Sequence, residues 1–269
     1  MEDVIIVGGG TGGLSAALTL ARSRRSVVVI DGGQPRNARA DGVHNYLTRD
    51  GTPPAALLAL GRKEVEGYGV TVIDGQAVST ERIDGGFAVT LDDGSVQQGR
   101  RLVIATGGWD ELPDIPGVAE GWGHTVIHCP YCHGWEVRDQ RIGVLGTGPG
   151  GIHQALLFSQ LSDDVTLYLH SLQLTDAEVA SLTSRNVRIV EGAIASVQQL
   201  GVDALVVSTT VHPRLDAFAG IGITPETLES TPGVWAVGNV LEANAQVIGA
   251  AAAGVMAGAR INWDLIENP

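Results

Sequence analysis

Val4-Ile5-Ile6-Val7-Gly8-Gly9-Gly10-Thr11-Gly12-Gly13-Leu14 opens the first regular stretch of the chain, and Val27-Val28-Val29-Ile30-Asp31 answers it. Val4 to Val7 is a continuous apolar run, as expected for a parallel strand covered on both faces. Gly8, Gly10 and Gly13 supply the glycines of G-x-G-x-x-G, and Leu14 to Arg22 reads as a helix of small residues. A second apolar strand then ends on Asp31. The glycines allow the turn and let a pyrophosphate rest on the helix N-terminus, where the N–H groups around Thr11 and Gly12 and the dipole favour negative charge. An acid about 20 residues further on is placed to accept hydrogen bonds from a ribose. A bare glycine fingerprint is a weak signal. Here it stands in the full strand–turn–helix–strand context with its acid, so it predicts a dinucleotide site.

Outward from this unit, residues 32–68 are loop-like around Pro35-Arg36-Asn37, His44-Asn45-Tyr46 and Gly51-Thr52-Pro53-Pro54, and a helix is expected from about Ala55 to Tyr68. Arg36 and Asn45 read either as solvated loop residues or as contacts to a pyrophosphate or flavin. Alternating segments at 70–78, 87–91 and 95–103, separated by Asp-Gly turns, predict a β-meander. Leu102-Val103-Ile104-Ala105-Thr106-Gly107 reads as a buried strand running into glycine. Pro113-Asp114-Ile115-Pro116-Gly117 is a stiff connector and the expected domain boundary.

A second strand–turn–helix–strand unit begins at Arg141-Ile142-Gly143-Val144-Leu145, with its own G-x-G-x-x-G at Gly146-Thr147-Gly148-Pro149-Gly150-Gly151. Its second strand, Val165 to Leu169, runs into His170-Ser171-Leu172-Gln173. No carboxylate stands there for an NAD ribose and no arginine for an NADP phosphate, so half of the fingerprint is missing. This pattern predicts a retained fold rather than a working nicotinamide site. A helix near Asp176 to Ser184 and strands near 187–190 and 203–208 follow. Pro232 to Asn239 reads as a buried strand ending in glycine and an amide. Gln246 to Ile261 reads as a Gly- and Ala-rich helix whose backbone something approaches closely; were its N-terminus aimed at a flavin, its dipole would favour the reduced, negatively charged ring.

Between the two fingerprints lies His128-Cys129-Pro130-Tyr131-Cys132-His133-Gly134-Trp135-Glu136, which holds the only 2 cysteines of the 269 residues. Thiols spaced C-x-x-C cycle readily between dithiol and disulfide, because so short a loop costs little entropy to close. The proline stiffens the turn, and a helix starting nearby would lower the pKa of one thiol. His128 and His133 flank the pair and are candidates for acid or base. Rival readings are weaker. C-x-x-C-H also spells a haem attachment site, but that needs export, and no leader is visible. Zinc would require adjacent residues to converge on one tetrahedral ion, so no metal is expected. An inert disulfide is disfavoured in a reducing cytosol.

Composition narrows the partners. The net charge of -13 disfavours nucleic acid and anionic membranes, both of which demand clustered cations. No apolar run reaches the roughly 18 residues of a membrane span. The expected setting is cytoplasmic. The 37 glycines suit tight turns and close backbone–cofactor contacts.

Taken in order, Val7 to Ala16, Ala105-Thr106-Gly107, Cys129-Pro130-Tyr131-Cys132 and Pro232 to Asn239 resemble the low-molecular-weight thioredoxin reductase-like flavoproteins over nearly the whole chain. The resemblance implies an α/β fold of two Rossmann-like domains with a shortened central one: a discontinuous FAD domain, 1–115 and 230–269, and a reduced NAD(P)-like domain, 116–229, carrying the cysteines. It implies FAD bound by Gly8, Gly10, Thr11, Gly12, Gly13, Asp31, Gly32, Arg36, Asn45, Ala77, Val78, Ala105, Thr106, Gly107, Gly238, Asn239, Gln246 and Val247. It places Cys132 against flavin C4a and Cys129 toward substrate, and it implies a homodimer. Family members usually carry Asp where this chain has Asn239. The Cys-Pro-Tyr-Cys-His motif and the missing phosphate-binding residues look more like the dithiol oxidases that close disulfides in holomycin- and gliotoxin-type products. The expected function is therefore FAD-dependent oxidation of a small dithiol with O2 as acceptor, giving hydrogen peroxide. The alternatives are an NAD(P)H-dependent reductase serving a thioredoxin-like protein and a flavin-binding redox sensor without turnover.

Overall fold

The computed structural model describes every residue except Pro149. In chain order the elements are β1 (Glu2–Val7), α1 (Thr11–Arg22), β2 (Val27–Asp31), α2 (Pro54–Glu66), β3 (Thr71–Asp74), β4 (Ala77–Ile83), β5 (Gly86–Leu91), β6 (Val96–Ile104), β7 (Gly108–Glu111), α3 (Val118–Gly121), β8 (Val126–Ile127), α4 (Pro130–His133), β9 (Ile142–Leu145), α5 (Gly150–Phe158), β10 (Val165–Tyr168), α6 (Asp176–Ser184), β11 (Arg188–Val190), β12 (Ala204–Val206), β13 (Thr210–Pro213), β14 (Val234–Ala236) and α7 (Val247–Glu267). They form two compact units: Met1–Ala38 with Pro53–Trp109 and Val211–Pro269, and Arg39–Thr52 with Asp110–Thr210.

The first unit is built on a sheet of order β3-β2-β1-β6-β5-β4. The long β6 serves two partners on one side: Val96 to Gly99 pair antiparallel with β5, and Leu102 to Ile104 pair parallel with β14. The apolar runs of β1 and β2 are fully covered, with Val4, Ile5 and Ile6 at 0% exposure, as strands flanked on both faces should be. On one face α1 packs against α7 through glycine. A Cβ added to Gly254 would lie 2.1 Å from the Gly12 carbonyl oxygen, so the Gly- and Ala-rich character of α7 is explained by the closeness of α1.

The second unit is a five-stranded parallel sheet of order β11-β10-β9-β12-β8. Its core gathers Ile142, Val144, Phe158, Val165, Leu167 and Val206. No helix among the described residues is long and apolar enough to cross a membrane.

Three expectations are corrected. Residues 70–78 do not belong to one meander strand: β3 joins the parallel sheet beside β2, and the meander is β4-β5-β6. The 113–117 stretch is no linker, because Ile115 is buried in a core with Val118 and Val126. The units instead divide at Trp109/Asp110 and Thr210/Val211, not near 115 and 230, and Arg39–Thr52 goes with the cysteine-bearing unit. Burial decides these limits, and proline content does not reveal it.

Candidate functional site

At the end of β1 the Gly8 N–H donates to the Ile30 carbonyl at 2.8 Å, and Gly8 takes a φ of +117°. A side chain there would stand 2.2 Å from the Ala105 carbonyl oxygen, so glycine is required by both conformation and space. A Cβ on Gly13 would lie 1.9 Å from the Gly8 oxygen, which fixes the close approach of α1 to the turn. Gly10 is the N-cap of α1 without a side-chain cap, and nothing lies within 4 Å of a Cβ added to it. The first-turn N–H groups of α1 therefore start beside unfilled space at Gly10, as an anion would need. The Asp31 carboxylate accepts from the N–H groups of Gly9 at 3.2 Å and Gly33 at 3.1 Å, both through Oδ1. That fixes the carboxylate at the end of β2, against the glycine turn. Gly32 lies beside Gly75, whose N–H donates to the Asp31 carbonyl at 3.0 Å; Ala77 and Val78 follow at the start of β4. An uncapped helix start with open space at Gly10 and a fixed carboxylate fit a dinucleotide's adenosine and pyrophosphate.

The remaining expected FAD residues of this unit gather around β6, β14 and the start of α7. The Thr106 hydroxyl donates to the Arg214 carbonyl at 2.7 Å, and the Arg214 N–H returns a bond to Gly107 at 3.0 Å. Gln246 is the N-cap of α7 without a side-chain cap, and the Val247 carbonyl accepts from the Thr11 hydroxyl at 3.2 Å, joining the two helix starts. Asn239 explains its own departure from Asp. Its Nδ2 donates to the carbonyls of Glu242, Ala243 and Ala245 at 3.1, 3.2 and 3.0 Å, stapling the loop that leads into α7. Arg36 donates to the same Ala243 carbonyl at 2.6 Å. A carboxylate at 239 could donate to none of these oxygens. Asn239→Asp is therefore expected to loosen this loop at a cost of about 1–3 kcal/mol, read as weaker FAD retention in a fluorescence titration; unchanged FAD affinity would show that the staple does not support the site.

In the second unit, Cys129 is the N-cap of α4 with Pro130 at its first position. The N–H groups of Cys132 and His133 donate to the Cys129 carbonyl at 3.2 and 3.1 Å, winding the motif into one helical turn with both thiols half-buried. Burial holds the His133 imidazole below its usual pKa of 6.5, against the pull of Glu136 and with repulsion from His44. His133 is thus neutral at pH 7 and able to take a proton. The Arg39–Thr52 segment contributes two further groups. His44 lies with Nε2 3.4 Å from Glu136 Oε1 and Nδ1 3.3 Å from Asp50 Oδ1. Asn45, expected at the cofactor, donates through Nδ2 to the Tyr131 carbonyl at 2.8 Å and so buttresses the thiol turn. His128 places Nδ1 3.3 Å from the Val207 carbonyl oxygen, beside the buried Gln154. Sequence reading missed His44 and Gln154; the latter left one signal, an amide in the otherwise apolar run Ile152 to Phe158, broken also by His153.

The chain matches known proteins over nearly its whole length. The sequence profile of the pyridine nucleotide-disulphide oxidoreductases matches residues 2–258. The chain belongs to this family. Thioredoxin reductase tcpT of Claviceps purpurea is 38% identical over 188 residues, 66% of this chain and 59% of tcpT, so the chain spans less than two thirds of that relative. Thioredoxin reductase sirT of Leptosphaeria maculans is 28% identical over 308 residues, 98% of this chain and 94% of sirT. The crystal structure of HlmI aligns with a TM-score of 0.90 at 42% identity, covering 99% of this chain and 93% of HlmI. The fold and family resemblance read from the motifs hold, and the cofactor of this thioredoxin reductase-like group is FAD.

The family name promises a pyridine nucleotide, and the second glycine turn is where one would sit. Part of that motif, Pro149, lies outside the described residues. In the rest, the Gly146 carbonyl accepts from the N–H groups of Leu172 at 3.1 Å and Ser171 at 3.4 Å, so the segment after β10 folds back onto the turn. A Cβ on Gly146 would meet Leu172 Cβ at 3.1 Å. His170, in the position corresponding to the ribose acid region, adopts φ +47° and accepts through Nδ1 from the Ile194 N–H at 3.0 Å. It is engaged with its own unit's backbone.

Proposed function

We propose that this chain is an FAD-dependent dithiol oxidase that converts a small dithiol to its disulfide, with O2 as acceptor and hydrogen peroxide as product. The observation that carries this reading is the second glycine turn. The segment from Leu169 to Leu172 folds back onto Gly146, and His170 accepts from the Ile194 N–H, so among the described residues at the end of β10 neither a carboxylate for a ribose nor a cation for a phosphate stands in the His170–Gln173 stretch. Electrons then come from the thiol side. Cys129 exchanges with substrate and Cys132 is its resolving partner. A substrate thiolate forms a bond to Cys129 sulfur while the Cys129–Cys132 bond breaks; its second thiolate displaces Cys129 and leaves as part of the product disulfide. Two protons and two electrons leave the substrate, and His133 and His128 are the side chains of the thiol turn able to accept the protons. When bound, FAD supplies the two-electron acceptor and the route to oxygen.

The family description and the names of the relatives favour a second reading, an NAD(P)H-dependent disulfide reductase with a thioredoxin-like partner. One anaerobic experiment separates the two. Dithiothreitol is expected to bleach the flavin of the holoenzyme, NADPH to leave it yellow, and peroxide to accumulate with dithiol once air is admitted. Bleaching by NADPH within seconds would replace the oxidase by the reductase. Bleaching by neither would leave a flavin-binding sensor.

A further inference from the structure

Three successive carbonyls of the thiol turn are satisfied in two different ways. The Cys129 carbonyl accepts from the His133 N–H at 3.1 Å, and the Pro130 carbonyl accepts from the Gly134 N–H at 2.9 Å. Both are the i→i−4 bonds of an α-turn. The Tyr131 carbonyl, next in line, accepts instead from Asn45 Nδ2 at 2.8 Å, a side chain 86 residues away. A single helical turn fixes many dihedral angles for few hydrogen bonds and is unstable alone. The outside donor therefore serves as its C-terminal cap.

Asn45 is delivered by a loop closed on itself. Val43, 3% exposed, donates through its N–H to the Thr52 carbonyl at 2.8 Å, and its carbonyl accepts from the Gly51 N–H at 2.9 Å. Inside the loop, Asp50 Oδ1 accepts from the Asn45 N–H at 3.2 Å and lies 3.3 Å from His44 Nδ1. His44 turns Nε2 toward Glu136 Oε1 at 3.4 Å. One carboxylate thus orients two neighbouring side chains onto two points of the same segment, Tyr131 and Glu136. Asn45 holds a φ of +58°, a conformation that Asn, Asp and Gly take more readily than other residues.

We propose that the 43–52 loop is a clamp on the thiol turn, and that Asn45 is the positioning residue that sets how firmly the Cys129–Cys132 disulfide is held. This rests on the dithiol–disulfide reading above. Residues three apart in a wound turn are neighbours, and a disulfide tolerates only a narrow range of Cα separations. A turn kept wound therefore gives each thiol a high effective concentration of the other, which favours the S–S bond. Releasing the Tyr131 carbonyl lets the turn fray, and the same bond becomes easier to reduce. Against glutathione the exchange balances: two glutathione thiols give two electrons and two protons to the pair, the Cys129–Cys132 bond opens to two thiols, and one glutathione disulfide forms.

The test equilibrates the holoenzyme anaerobically over a series of glutathione to glutathione disulfide ratios, alkylates the free thiols and reads the two forms by mass spectrometry. Asn45→Gly removes the amide and keeps the positive φ. Asn45→Asp also keeps it but presents only acceptors to the Tyr131 carbonyl. Both should move the equilibrium about threefold to tenfold toward the dithiol, the worth of one hydrogen bond. His44→Ala, which gives up the Glu136 contact, should move it the same way by about twofold, and it carries the comparison should the position 45 variants fail to fold. Leu47→Ala, in the same loop and 86% exposed, should leave it unchanged. Equal constants in wild type and the clamp variants, or a shift in Leu47→Ala as large as in Asn45→Gly, overturn the proposal. A pair that forms no disulfide at any ratio overturns the dithiol–disulfide reading and the clamp with it. The equilibrium does not depend on what donates electrons to the flavin or takes them from it. A reductase would still show the shift, and an active dithiol oxidase with unshifted constants would sink the clamp alone.

Discussion

Cys129→Ser should retain FAD and lose dithiol-driven flavin bleaching by at least about a thousandfold, the scale seen when a covalent catalyst is deleted. A serine hydroxyl cannot form a disulfide with Cys132, so the substrate sulfur has no S–S bond to attack. Cys132→Ser should be as inactive in turnover, for a different reason. Its remaining Cys129 can still be captured as a mixed disulfide by an activated disulfide probe, whereas in Cys129→Ser the same probe should report the reactivity of Cys132 alone. Stopped-flow bleaching and mass spectrometry of the trapped adduct measure the two outcomes. The helical turn at 129–133 supports the geometry of this experiment: Pro130 and the bonds from Cys132 and His133 to the Cys129 carbonyl hold the turn whichever sulfur is replaced. Turnover within tenfold of wild type in either variant would remove the thiol pair from the reaction.

The largest expected loss of stability comes from Gly254→Val. The added Cβ would start 2.1 Å from the Gly12 carbonyl oxygen and 3.0 Å from Ser15 Cβ, and the first of these is backbone that cannot swing away. α1 and α7 must separate, at a cost of about 2–4 kcal/mol, lowering the unfolding midpoint by roughly 5–12 °C for a domain of this size. FAD should be lost along with stability, because Gly12 lies in the first turn of α1, where the proposed site would hold the pyrophosphate. Thermal unfolding followed by flavin fluorescence reads both at once. Gly249→Ala is the control on the same helix: nothing lies within 4 Å of its Cβ, so it should be neutral or stabilising by up to about 1 kcal/mol. Equal midpoints for the two variants would mean that the helices do not need their glycine contact.

Much of this protein was legible because the relevant signals are local. Val4 to Val7, the glycines from Gly8 to Gly13 and Asp31 lie on one strand, turn and strand, and their spacing carries their geometry with it. The same holds for Cys129 and Cys132, whose separation confines them to one helical turn, and for the strands at 142–145 and 165–168. The missing acid at His170 was also visible, since the fingerprint specifies where it should stand.

What escaped reading are the contacts between residues distant in sequence. Asn45 and His44 belong to the thiol turn through Tyr131 and Glu136, contacts made only after the 39–52 segment folds onto the second unit. Arg36 and Asn239 meet on the Ala243 carbonyl, a junction no spacing announces. Gln154 is an unremarkable amide until α5 brings it against His128 and Ser208. The sequence by itself determined the fold class, the dinucleotide turn and the redox pair, because periodicity and short-range backbone geometry act within a few residues. Which unit owned each loop, where the units divide and which side chains orient the histidines beside the thiols were decided by the tertiary structure alone, because burying a polar group demands partners that only long-range packing can deliver.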